Sequence, residues 1–165
     1  MASPTPLLRD PRPVEGVAIG EPSPSTRLAA SCAIVASSEA VSQLRRFTRS
    51  VLEFWGVEGE AGYEVLGIVS ELATNAVCHS GSLDVSLTMT MSGSTIVLTV
   101  RDSGRWKRRR RADPLGSLRG RGLLLVSELA SRSGVHRSAQ GTAAWAERVI
   151  PEHDLSFCRL RGTAC

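Results

Sequence analysis

Strict alternation between apolar and polar residues is the clearest local pattern in this chain. Residues 83–91 carry Leu, Val or Met at every odd position and Asp, Ser or Thr between them. A period of two is typical of a strand with one buried face. A Ser-Gly-Ser turn at 92–94 and a second apolar run from Ile96 to Arg101 extend this strand into a predicted hairpin.

Two longer segments that precede the hairpin have the helical period instead. Apolar residues recur three or four positions apart from Ser38 to Trp55 and again from Ala61 to His79. This spacing predicts two amphipathic helices. The other predicted elements are a strand over Arg27–Val35, a short helix over Gly122–Ala130, and two strands over Gly134–Arg137 and Thr142–Ile150.

The order of these elements favours one fold class. Helices and antiparallel strand pairs are segregated along the chain, which favours an α+β two-layer sandwich over a parallel doubly wound sheet. We expect a mixed, mostly antiparallel sheet with the helices on one face. A length of 165 residues suggests a single domain, which we place at residues 26–151. The Pro-rich residues 1–25 are predicted to be a disordered leader, and residues 152–165 a C-terminal tail.

Composition adds little to this picture, and it excludes a membrane protein. The formal net charge is +4, and the run Lys107–Arg111 alone accounts for the excess. The four cysteines form no C-x-x-C pair, so we expect reduced thiols in a cytosolic protein. No segment approaches the roughly 20 apolar residues of a membrane helix. We therefore expect a soluble, cytoplasmic protein without a membrane partner.

Candidate chemistry begins on the second predicted helix. Glu71, Asn75 and His79 recur every four residues and form one polar stripe beside the apolar face. A carboxylate can accept a proton, and an amide oxygen is a hard ligand that suits Mg²⁺ beside phosphates. A solvated helix face would give the same stripe, so the pattern alone leaves both readings open.

Two glycine-containing segments follow. Asp102-Ser103-Gly104 ends a predicted strand, where a carboxylate could accept a hydrogen bond from an exocyclic amine; an ordinary turn has the same composition. Gly120-Arg121-Gly122 opens a helix, where exposed backbone N–H groups favour phosphate. It is neither a Walker A loop nor a dinucleotide fingerprint. The basic loop between the two segments could act as a lid over a phosphate or could be a solvated charged loop.

Taken together, these segments resemble the histidine-kinase-like ATPase superfamily over about residues 30–150. The matching segments are Ser70–His79, Asp102–Gly104, Gly120–Leu123 and Gly141–Glu147. Within that superfamily the chain resembles the stand-alone anti-sigma-factor serine/threonine kinases found among actinobacterial ATP-binding regulatory proteins. The resemblance implies a Bergerat-type ATP-binding fold.

The resemblance also implies residue roles. Asn75 would hold Mg²⁺, and Glu71 would be the general base. Asp102 would bind the adenine amine, with Gly104 beside the ring and Thr142 supporting it through a hydroxyl or water contact. The residues that would present backbone amides to the ATP phosphates are Gly120, Arg121, Gly122 and Leu123.

The function implied is ATP-dependent phosphorylation of a Ser or Thr of an anti-anti-sigma (STAS-like) partner, direct binding of a sigma factor, or both. A non-catalytic ATP-dependent partner-binding switch is the first alternative. A basic nucleic-acid-binding domain using residues 107–111 is the second, and few aromatic residues accompany that run. Whether the protein forms a homodimer is left open.

Overall fold

The computed structural model describes residues 27–104 and 122–156. Three predicted regions lie outside the described residues: the leader at 1–25, the basic loop at 105–119 with Gly120 and Arg121, and the end of the tail at 157–165. The described elements, in chain order, are β1 (Arg27–Val35), α1 (Ala40–Phe54), α2 (Gly59–His79), β2 (Asp84–Ser92), β3 (Thr95–Asp102), α3 (Gly122–Leu129), β4 (Arg132–Ser138), β5 (Gly141–Val149) and a 3₁₀ turn (Glu152–Asp154).

The strands form one five-stranded sheet in the order β1-β2-β3-β5-β4. Each pairing within it is antiparallel. Along β2 and β3 buried residues alternate with more exposed ones, as expected when helices cover one face of a sheet and leave the other to solvent. The predicted α+β two-layer sandwich is confirmed, and the sheet of the described residues contains antiparallel pairs alone.

The hydrophobic core lies between the helices and the covered face of the sheet. Leu44 of α1, Ile68 and Leu72 of α2, and Leu87 and Leu98 of the sheet are among its fully buried side chains. Aliphatic residues dominate this core because the chain has few aromatic residues. No helix of the described residues is both long and apolar enough to cross a bilayer.

Helix α2 begins at Gly59, two residues before the predicted start. Its N-terminus is capped by Asp154, a residue far away in the sequence. The backbone N–H of Ala61 donates a hydrogen bond to Oδ2 of Asp154, at 2.9 Å, and Glu58 N–H donates to the Asp154 carbonyl, at 2.8 Å. A carboxylate at this end of a helix satisfies an unpaired donor and complements the helix dipole. Gly59, at φ +66°, leaves room for that carboxylate: a Cβ there would lie 2.1 Å from Oδ1 of Asp154.

Because Asp154 caps α2, the folded region extends beyond residue 151, the predicted end of the domain. Asp154 and Leu155 are buried, and Ser156 N–H donates to the Gly56 carbonyl at 2.8 Å. The segment that follows residue 151, which the sequence pattern assigned to a tail, therefore packs on the start of α2 at least as far as Ser156. The packing of this segment depends on contacts with residues about one hundred positions earlier, which periodicity does not reveal.

Candidate functional site

The polar stripe of α2 lies partly under the next helix. Glu71 and Asn75 are half-buried, whereas His79, the last residue of α2, is exposed. The side-chain nitrogen Nδ2 of Asn75 is buried and has no hydrogen-bond partner among the described residues. Leaving a buried amide donor unpaired costs about 1–3 kcal/mol. Such a cost is expected where the amide serves a group other than the protein itself.

The start of α3 lies directly against Glu71 and Asn75. A Cβ placed on Gly122 would stand 2.2 Å from Oε2 of Glu71 and 3.8 Å from Nδ2 of Asn75. A side chain at this position would displace the Glu71 carboxylate, whereas it would only be in ordinary contact with Asn75. Leu123 follows in the first turn of α3, with its side chain 41% exposed. We call Glu71, Asn75 and Gly122 the helix-side cluster.

A second cluster lies at the end of β3 and the start of β5, on the face of the sheet that the helices cover. Asp102 and Thr142 are direct partners in the antiparallel register, and both are buried. The N–H of Gly104 donates a hydrogen bond to Oδ1 of Asp102, at 3.1 Å. Gly141, at φ +134°, permits this pairing, because a Cβ there would lie 1.9 Å from the Asp102 carbonyl oxygen. We call Asp102, Gly104, Gly141 and Thr142 the strand-end cluster.

Gly104 has a packing role that the sequence did not reveal. A Cβ at this position would stand 2.3 Å from the carbonyl oxygen of Ser80 and 2.8 Å from the backbone nitrogen of Ser82. The turn after β3 therefore packs backbone to backbone against the C-terminal end of α2. Its glycine is needed for this internal contact, whether or not a ligand ring also approaches.

Hydroxyl groups reinforce the same turn. Ser103 Oγ donates to Oδ1 of Asp84 at 2.7 Å, and Ser103 N–H donates to Ser82 Oγ at 3.0 Å. Ser82 Oγ also lies 3.2 Å from Oδ1 of Asp84. Hydrogen bonds from Ser103 and then from Ser82 lower the pKa of the Asp84 carboxyl below its ordinary value. These residues hold the strand-end cluster in place. The sequence pattern gave no role to Ser82, Asp84 or the Ser103 hydroxyl, because serines in loops are common.

Both clusters are attached to α2, one along its polar stripe and the other at its C-terminal end. Helix α2 therefore contacts both clusters, whose sequence-predicted members are Glu71, Asn75, Asp102, Gly104, Gly122 and Thr142.

A cavity of about 490 Å³ is lined by Asp102 and Thr142 of the strand-end cluster, together with Arg101, His136, Trp145 and others. Neither Glu71 nor Asn75 lines it, so it is distinct from the helix-side cluster.

The described residues contain no cluster of three or more His, Cys, Asp or Glu side chains placed to hold a metal ion. A cation at Asn75 would accordingly take most of its ligands from a bound phosphate chain or water, as Mg²⁺ commonly does.

Comparison with known proteins places this geometry in a family. Residues 34–147 match the histidine kinase-like ATPase domain family. The match covers more than half of the chain, and the chain belongs to this family. It is therefore an ATP-binding domain of the kinase or ATPase kind.

One solved structure shares the fold, and a second match is weaker. The RsbU and RsbW domains of Rv1364c from Mycobacterium tuberculosis match with a TM-score of 0.62 and 20% identity, over 74% of this chain and 32% of that chain. The chain thus spans about a third of the length of that solved chain. The histidine kinase domain of the Erythrobacter litoralis EL346 blue-light activated histidine kinase matches with a TM-score of 0.46 and 21% identity, over 79% of this chain and 66% of that chain. No curated protein matches the sequence.

Proposed function

We propose that this protein is an ATP-dependent serine/threonine protein kinase of the anti-sigma-factor type. It transfers the γ-phosphate of ATP to a Ser or Thr of an anti-anti-sigma (STAS-like) partner, sequesters a sigma factor, or does both. The observation that carries the proposal is the Glu71–Asn75 pair directly beneath Gly122 at the start of α3. The motif resemblance to anti-sigma-factor kinases over Ser70–His79, Asp102–Gly104 and Gly120–Leu123 supports this choice within the family.

The strand-end cluster suits the base of the nucleotide. The buried Asp102 carboxylate accepts a hydrogen bond from the adenine amine, and the Thr142 hydroxyl lies beside it on the neighbouring strand. A buried, charged hydrogen bond of this kind contributes more to binding than a neutral one. The phosphates then extend toward the start of α3, where Gly122 and Leu123 begin the helix and its dipole favours an anion.

The helix-side cluster suits the transfer step. The oxygen of the partner's hydroxyl attacks the γ-phosphorus, its proton passes to the Glu71 carboxylate, and the bond from the γ-phosphorus to the β–γ bridging oxygen breaks to leave ADP. Asn75 would hold Mg²⁺ through its amide oxygen, and its buried Nδ2, which has no partner among the described residues, would be free to donate a hydrogen bond to a phosphate oxygen. When bound, Mg²⁺ would neutralise charge on the phosphate chain.

Glu71→Gln is the sharpest test of the transfer step, because the variant keeps the shape of the side chain and removes its basicity. We expect transfer of labelled γ-phosphate to an anti-anti-sigma protein to slow by about 10²- to 10⁴-fold. ATP affinity in calorimetry should stay unchanged. Glu60→Gln is the matched control, because Glu60 is exposed on the first turn of α2 and far from Gly122. Transfer by Glu71→Gln at the wild-type rate would exclude Glu71 as the base.

A non-catalytic, ATP-dependent binding switch is the second candidate, and α3 provides the observation that favours it. Leu123, Leu124 and Leu125 are 41%, 64% and 42% exposed, immediately after the glycine that contacts Glu71. An apolar surface next to the phosphates would let a partner sense whether ATP is bound. For a switch, partner binding would require ATP and would be the same for Glu71→Gln and wild type, with no phosphate transferred by either.

A further inference from the structure

The cavity of about 490 Å³ opens on the face of the sheet that the helices leave uncovered. Arg101 of β3 and His136 of β4 are each a direct partner of Ala143 of β5, and paired residues point to the same face of a sheet. On either side of Ala143 in β5, Thr142 and Ala144 are buried. Because successive side chains alternate between faces, Ala143 and its two partners point away from the helices. We call this space the open-face cavity.

Small and large side chains alternate across the floor of the open-face cavity. Ala143 separates Arg101 from His136, whose Cα atoms are two strand spacings, or about 10 Å, apart. The low point above Ala143 therefore lies between two long side chains. Two residues further along β5, Trp145 also lines the cavity. A volume of about 490 Å³ is in the range of small-molecule sites.

The indole of Trp145 lies flat on the sheet. A Cβ placed on Gly134, its direct partner in β4, would be 2.7, 2.9 and 3.0 Å from the ring atoms Nε1, Cε2 and Cζ2. Three neighbouring ring atoms at nearly equal distances put that point above the plane of the ring and not beside its edge. Gly134 therefore lies under one face of the indole. Because Trp145 is only half-buried, its other face can stack on a planar ligand.

The charged groups of the open-face cavity favour a single negative charge. Arg101 and His136 are exposed, and the Arg101 guanidinium makes no ion pair with any described residue. Asp84, the carboxylate that lines the cavity at the start of β2, accepts a hydrogen bond from Ser103 and would repel a second negative charge. A guanidinium can bind a carboxylate through two parallel hydrogen bonds. A carboxylate therefore fits this site better than a doubly charged phosphate.

We propose that the open-face cavity binds a small planar aromatic carboxylate. The carboxylate of the ligand lies above Ala143, between Arg101 and His136, and its ring stacks on the Trp145 indole. Aromatic stacking and a charge-assisted hydrogen bond then act on opposite ends of one small molecule. The helix-side cluster is on the other face of the sheet, so the proposal does not depend on the nucleotide site.

Titration of the full chain with 2-naphthoate tests the charge requirement. We expect a dissociation constant of about 1 mM, the affinity that ordinary ligand efficiency gives a probe of this size. Arg101→Gln should weaken binding by at least about tenfold, because it removes the charged donor. Arg132→Gln is the matched control: it removes the same charge from an exposed arginine of β4 that does not line the cavity. The neutral 2-naphthamide should bind the wild type at least about tenfold more weakly than 2-naphthoate.

The indole N–H signal of Trp145 in NMR tests the stacking contact. This signal, assigned by its loss in Trp145→Leu, should move on addition of 2-naphthoate. Trp145→Leu should weaken binding by about three- to tenfold. If Trp145→Leu fails to fold, Gly134→Ala replaces it, because the added methyl group displaces the ring without removing it; binding should then weaken as well.

Four results would overturn the proposal. The first is no binding of 2-naphthoate up to its solubility limit. The second is equal affinity of wild type and Arg101→Gln, which would leave the charge without a role. Displacement of the probe by ATP would place it in the nucleotide site instead. Tighter binding of 2-naphthyl phosphate than of 2-naphthoate would show that the cavity is a phosphate site.

Discussion

The strand-end cluster and the helix-side cluster are held in place by different kinds of contact. In the first, backbone packs against backbone, with Gly104 against the Ser80 carbonyl and Gly141 against the Asp102 carbonyl. In the second, Gly122 meets only the ends of the Glu71 and Asn75 side chains. Backbone packing cannot yield without moving a whole element, whereas a carboxylate end can rotate. Substitutions in the strand-end cluster should therefore reduce the stability of the fold, whereas substitutions in the helix-side cluster should leave it nearly unchanged.

Gly104→Ala should have the largest effect, because its Cβ would meet backbone atoms of Ser80 and Ser82. We expect a loss of about 3 kcal/mol in the free energy of unfolding, typical of overpacking, measured by urea denaturation. Gly62→Ala is the control, since the nearest atom to its Cβ would be 3.8 Å away. It should be neutral or slightly stabilising, because alanine favours a helix over glycine. Equal stability of the two variants would contradict the account of the strand-end cluster.

Asp102→Asn should affect binding more than folding. Asparagine keeps an oxygen that can accept the Gly104 N–H but lacks the negative charge that would strengthen the proposed hydrogen bond to adenine. We expect ATP binding to weaken by roughly 1.5–3 kcal/mol, on the order of ten- to a hundredfold. Calorimetry with ATP and with GTP measures the effect and its selectivity for adenine. Unchanged ATP affinity would remove Asp102 from the site.

Gly122→Ala should give the opposite profile to Gly104→Ala. The added methyl group meets a flexible carboxylate end, so the free energy of unfolding should hardly change. The displaced Glu71 side chain and the crowded start of α3 should weaken ATP binding by about tenfold, or about 1.4 kcal/mol. If Gly122→Ala unfolds the protein as readily as Gly104→Ala, the two clusters do not differ in the way described.

The smallest effect concerns the hydroxyl groups around Asp84. Because Ser103 and Ser82 lower the pKa of this carboxyl in the folded state, the ionised form stabilises the fold. That contribution is complete above the ordinary pKa of aspartate and is lost as the pH falls through the lowered pKa of the folded state. Urea denaturation should therefore show wild type and Asp84→Asn differing at neutral pH and converging in acid. A gap that stays constant at every pH would contradict this.

Local pattern was enough to predict most of the fold. The strict alternation at residues 83–91 located β2, and the helical spacing located α1 and α2, because each pattern follows from the element's own period. The strand order could not be predicted in the same way. The pairing of Asp102 with Thr142 joins residues 40 positions apart across β3 and β5, and no local period records such a pairing.

The candidate site was predicted only in part for the same reason. Glu71 and Asn75 share one helix face, so their spacing alone put them together. The Asp154 cap of α2, 93 residues from Ala61, and the contact of Gly104 with Ser80 depend on tertiary packing. Gly141 lies between two predicted strands, but its close fit against Asp102 could not be predicted, since a glycine between strands has several explanations.

We infer that the helix-side cluster and the strand-end cluster bind the same Mg-ATP molecule. Isothermal titration calorimetry of the full chain with ATP, with and without Mg²⁺, for wild type and Asn75→Ala is the experiment that tests this inference. We predict one site per chain, with affinity raised by Mg²⁺ in the wild type and insensitive to Mg²⁺ in Asn75→Ala. Absence of ATP binding, or an equal response of both proteins to Mg²⁺, would contradict the account.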